Sequence, residues 1–109
     1  MKKYTVDFRQ VKYYLEMHDV LRESLDFPEY YGRNWDAFWD CITDFFASDE
    51  SVMIEILGLD VIERLFGDRA KMMIDIMKRA KHYYDSNDTY EAKTKIIQIV
   101  DGERRVEIE

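Results

Sequence analysis

The sequence predicts a small α/β protein, a three-stranded parallel sheet packed with about four helices, with a short hairpin arm at its C-terminal end. Three observations carry this. Strand-like and helix-like stretches follow one another along the 109 residues in the order β, α, α, β, α, α, β. The stretches between strands are long enough for the helical crossovers that parallel strands require. The composition, 47% apolar and 15% aromatic with one proline and four glycines, suffices for one core and not for two. No internal repeat or low-complexity tract interrupts the pattern.

Tyr4, Val6 and Phe8 alternate with Thr5 and Asp7, the period of two expected of a first strand. Residues 11–25 follow as a first helix, with Val11, Tyr14, Leu15, Val20, Leu21 and Leu25 at broadly helical spacing. Pro28 holds Phe27 out of the α region and opens a loop that ends at Gly32. Asn34 then serves as N-cap of a second helix running to about Phe46. Residues 51–57 contain Val52, Met53, Ile54, Ile56 and Leu57, the pattern of a strand buried on both faces, and Gly58 ends it. Residues 61–66 make a short helix closed by Gly67. Asp68 caps a longer one, in which Met72, Met73, Ile76, Met77, Ala80 and Tyr83 or Tyr84 keep the helical period. Residues 95–100, with Ile96, Ile97, Ile99 and Val100, make the third strand. Asp101-Gly102 is a turn signal, which favours a weak hairpin through Val106 and Ile108 over a frayed end. The expected division is a domain over residues 1–100 and an extension over 101–109.

Composition narrows the function. No apolar run approaches the ~18 residues of a membrane span, and residues 1–7 alternate charged and apolar groups instead of building a signal peptide, so the expected location is the cytoplasm. The single Cys41 can form no internal disulfide, and His18 and His82 show no ligand spacing; no metal or cofactor is expected. Both histidines are expected at the surface or its boundary. Cys41 is expected to be a partly buried, unreactive thiol, with Asp40 disfavouring the thiolate. The net charge of −7 is concentrated. Residues 26–60 hold nine acids (Asp26, Glu29, Asp36, Asp40, Asp44, Asp49, Glu50, Glu55, Asp60) and one base, Arg33, while the remainder is nearly balanced. Such a segment repels nucleic acid and attracts a basic protein. A monomer is expected.

On a helical wheel started at Trp35, residues Trp35, Phe38, Trp39, Ile42, Phe45 and Phe46 fall within about 120°, a core stripe with Trp39 at its edge. Asp36, Asp40 and Asp44 make a second, acidic stripe with no base beside it. Like charges at i, i+4 cost an isolated helix a few tenths of a kcal/mol per pair, and Asp is a poor helix former, so helix stability alone would not select this face. The loop Glu29-Tyr30-Tyr31-Gly32 adds an acid and two aromatics, and aromatics beside charges are the usual composition of interface anchors.

The run Phe27-Pro28-Glu29-Tyr30-Tyr31-Gly32-Arg33-Asn34-Trp35-Asp36-Ala37-Phe38-Trp39-Asp40-Cys41 resembles the PEYYGxNxDAxWDC segment of the barstar family, intracellular inhibitors of barnase-like ribonucleases. Met77-Lys78-Arg79-Ala80-Lys81 is a weaker match, and the shared element order extends the resemblance over residues 1 to about 100. The resemblance implies an inhibitory surface made from the second helix and the loop before it, with carboxylates standing where RNA phosphates would lie. Asp36 and Asp40 match the two motif aspartates, Tyr30 the loop tyrosine that stacks on the nuclease, and Asn34 and Trp39 further interface positions. With Glu29, Trp35 and Asp44 these form the candidate partner-binding set. Three departures bear on target choice: Arg79 stands where the family offers an acid, the family's second cysteine is missing, and Phe45 stands where the family has Trp. Arg33 is expected to pair locally with Glu29 or Asp36. The alternative is a binding module of the same fold for another basic protein. Catalysis by the paired carboxylates is disfavoured, because no third ligand, histidine or nucleophile accompanies them.

Overall fold

The computed structural model describes residues 2–47, 51–85 and 94–108, the side chains of 84 and 85 excepted. Strands β1 (Lys2–Asp7), β2 (Val52–Leu57), β3 (Thr94–Val100) and β4 (Arg104–Ile108) form one sheet in sequential order. The first three are parallel, with Tyr4 opposite Ile54 and Ile54 opposite Ile96, and β4 runs antiparallel to β3. The helices are α1 (Tyr14–Ser24), α2 (Trp35–Phe46), α3 (Leu59–Phe66) and α4 (Asp68–Asp85).

Sequential strand order joined by right-handed crossovers places the helices on a single face. The core bears this out: Val6, Ile54, Ile56 and Ile96, which share one face by register, are buried with Phe38, Ile42 and Phe46 of α2 and Met73, Met77 and Ala80 of α4. The expectation that β2 is buried on both faces holds in part, because the helices cover only one of them. On its second face Glu55 is buried by charge pairing, with Lys3 at 3.1 Å and with Arg105 of β4, while Met53 and Leu57 are only half-buried. Lys3, then Arg105, outweigh the cost of burial and hold the Glu55 carboxyl below its usual range.

The local devices are readable residue by residue. The hairpin joining β3 to β4 turns through Asp101 and Gly102, at φ 55° and 77°, the consecutive positive values that primed hairpin turns use. Gly58, at φ 77°, links β2 to α3 where an added Cβ would come within 2.7 Å of the Arg9 backbone nitrogen, so no larger residue fits without displacing backbone. α1 begins at Tyr14, not Val11: the Glu16 carboxylate accepts the backbone N–H groups of Lys12 and Tyr13 and fixes the start there. Within α1 the buried residues are Met17, His18 and Leu21, and Leu15 is exposed. α1 ends with Asp26 at φ 56° and the Phe27 N–H donating to the Arg22 carbonyl at 2.9 Å, a left-handed helix stop with an acid in the glycine position. α3 begins two residues earlier than the apolar pattern suggested. In α4 the buried row is Ala70, Met73, Ile76, Met77 and Ala80, whereas Met72 and Tyr83 are exposed; the Tyr84 side chain lies outside the described residues.

Candidate functional site

α2 is held at its start by the residue expected to do so. Asn34 Oδ1 accepts the Ala37 N–H at 2.8 Å, and its Nδ2 donates to the Gly32 carbonyl at 3.1 Å, so one side chain closes both helix and loop. Arg33, at φ 53°, pairs with Asp19 of α1 at 2.9 Å and not with Glu29 or Asp36. Its left-handed backbone turns the guanidinium toward α1, and the acids of loop and helix are left without it.

Beneath the loop lies a cluster the sequence reading missed. His18, expected at the surface or its boundary, is completely buried. Its Nδ1 is hydrogen-bonded to the Tyr31 hydroxyl at 2.6 Å and its Nε2 to the Tyr14 hydroxyl at 3.3 Å, while the Trp35 ring lies 4.5 Å from it, centroid to centroid. A neutral imidazole donates at one nitrogen and accepts at the other, so one tyrosine hydroxyl donates to it and the other accepts from it. Burial lowers the His18 pKa to about 4, with Asp19 opposing and Arg33 assisting, and burial likewise raises that of Tyr31. The cluster fastens loop and helix start to α1. Its signal was the i, i+4 pair Tyr14 and His18 on the same helical face as Leu21 and Leu25.

Outside that support the candidate residues separate into groups. Tyr30 is 86% exposed at the loop tip, beside exposed Glu29. Asp36, Asp40 and Asp44 are exposed along α2. Neither the Asp36 nor the Asp40 carboxylate has a hydrogen-bonding or ion-pair partner among the described residues. Trp39 is 39% exposed, but Trp35 is half-buried and packs on His18, Tyr14 and Phe38; its Nε1 is buried with no partner among the described residues. Trp35, Asp36, Trp39 and Asp40 line one wall of a groove of about 490 Å³, and Met72, Ile76 and Arg79 of α4 line the other. Glu29, Tyr30 and Asp44 lie outside its lining. Of the remaining acids counted in residues 26–60, Glu55 is neutralised on the open sheet face, Asp60 belongs to α3, and Asp49 and Glu50 fall outside the described residues. Cys41 is half-buried and its thiol pKa is raised, by burial first and then by Asp44 and Asp40.

No group of three His, Cys, Asp or Glu side chains among the described residues could hold a metal ion, and no helix among them is long and apolar enough to cross a membrane. Fold and exposed groups define a class of molecule: a small α/β protein with a one-sided sheet and a firmly capped helix that turns carboxylates and aromatics outward. The family model described as Barstar (barnase inhibitor) matches residues 1–99. A Bacillus subtilis (strain 168) protein named "Putative ribonuclease inhibitor YrdF" is 32% identical over 81 residues, covering 74% of this chain and 87% of the relative. The chain belongs to the barstar family. The family match ends before β4, whose strand begins at Arg104.

Proposed function

We propose that this chain inhibits a basic, barnase-like ribonuclease, in the cytoplasm and without chemistry or cofactor of its own, by covering the nuclease active site with α2 and the loop before it. A ribonuclease concentrates Arg, Lys and His where phosphoryl charge develops, and two carboxylates one helical turn apart can accept charge-assisted, bidentate bonds from those groups. The observation that carries the reading is the state of Asp36 and Asp40: both are exposed, on one helix face, beside a partly exposed Trp39, and unpaired among the described residues. The support beneath them favours tight binding, since a surface already held by Asn34, His18 and the Arg33–Asp19 pair loses little freedom when it docks.

Titrating barnase with the purified protein in an RNA-cleavage assay tests this. Stoichiometric loss of cleavage is expected, and Asp40→Ala should raise the inhibition constant at least about 30-fold. Inhibition undiminished in Asp40→Ala would remove α2 from the interface. Binding without inhibition would favour a module for another basic protein.

A further inference from the structure

The groove between α2 and α4 carries opposite charges on its two walls. Asp36 and Asp40 stand on the α2 wall and Arg79 on the α4 wall. The Arg79 guanidinium lies over the Trp39 ring, its carbon 5.9 Å from the ring centroid. Arg79 is exposed and has no carboxylate within ion-pair distance among the described residues, so the three charges share a cavity of about 490 Å³ without neutralising one another. Contact with a ring face engages the π-cloud of the indole and leaves the five guanidinium N–H donors for an acceptor of fork geometry, which a carboxylate supplies.

Covering this groove removes water from all three groups. The aspartates then require cations, and a partner that brought cations alone would press like charge against Arg79, an arrangement that works against association. We propose that Arg79 is a specificity-determining contact, and that the target presents a carboxylate side chain to it, adjacent to the basic groups that meet Asp36 and Asp40. This rests on the inhibitor reading and deepens it: the partner surface is not uniformly basic but carries an acid at the rim of its cationic site. A nuclease lacking that acid is discriminated against by the same guanidinium.

Barnase serves as the probe, with single Arg→Glu and Lys→Glu substitutions placed around the rim of its active site. Calorimetry, which does not depend on nuclease activity, measures binding to the parent protein, Arg79→Ala, Arg79→Glu and Asp40→Ala. At least one charge-reversed barnase is expected to bind the parent tenfold or more tighter than unmodified barnase does. That gain should vanish with Arg79→Ala and become a loss with Arg79→Glu, while unmodified barnase should bind Arg79→Glu more tightly than the parent. If no reversed barnase gains affinity, or if the gain survives in Arg79→Ala, the proposal is overturned. Asp40→Ala separates the two levels. Weakened binding in Asp40→Ala without any dependence on Arg79 leaves the inhibitor reading standing and removes this inference alone, whereas no binding by any pair overturns both.

Discussion

Acid should destabilise this protein through His18. The imidazole is wholly buried between two tyrosine hydroxyls, and its pKa falls from an ordinary 6.5 to about 4 on folding. The unfolded chain therefore takes up a proton below pH 6.5 that the folded protein refuses until about pH 4, and stability declines as pH falls through that window. The gap corresponds to about 3 kcal/mol once both values are passed, a large share of the 5–15 kcal/mol typical of a domain. Asp7 and Glu55 add to this at the acid end: folding lowers their pKa values from 3.8 and 4.5, so their stabilising contributions are lost as pH falls through and below those values. The informative quantity is thus a difference. Urea unfolding of the parent and of His18→Gln at pH 7 and pH 4.5 should show the parent losing about 2 kcal/mol more than the variant, since Gln can bridge both hydroxyls but does not titrate. Equal losses in the two proteins would refute the assignment of acid sensitivity to His18.

Three further outcomes are expected. Asp40→Ala should change stability by no more than about 0.5 kcal/mol in urea unfolding, because it relieves like-charge repulsion on α2, while weakening nuclease binding by at least about 2 kcal/mol in calorimetry; Asp36→Ala should act in the same direction. Stopped-flow association with barnase should slow several-fold between low and physiological salt, with a smaller change in dissociation, if the acids on α2 and its loop steer encounter. Asn34→Ala should cost about 1 kcal/mol of unfolding free energy, since the N–H of Ala37 loses its acceptor.

Much of the scaffold was legible because its signals are local. Asn34 as cap, Gly58 as strand stop, the Asp101-Gly102 turn and the outward placement of Asp36, Asp40 and Asp44 each depend on a few neighbouring residues. What escaped depends on distant ones. Glu55 sits inside an apolar run and is satisfied by Lys3 and Arg105, each about 50 positions away. His18 finds Tyr31 only when the loop folds back on α1, and Arg33 finds Asp19 only because its backbone turns left-handed. Leu15 and Met72 differ from expectation for a simpler reason: each is an apolar residue one position beside a buried neighbour row, and an apolar stripe drawn one residue too wide takes in an exposed side chain.

The β3–β4 hairpin has a consequence for how the chain reaches its fold. The parallel pairings join Tyr4 to Ile54 and Ile54 to Ile96, whereas the hairpin joins Val100 to Arg104 across a short turn. Closing a loop ten times shorter costs about 2 kcal/mol less entropy, so this pairing is available earliest. β3, with Ile96, Ile97, Ile99 and Val100, is the kind of strand that pairs with other chains while it waits for its own partners. β4 occupies one edge of β3 and sets exposed Arg104 and Glu107 on the new rim while Arg105 pairs with Glu55, and charged groups on a sheet edge disfavour pairing with other chains.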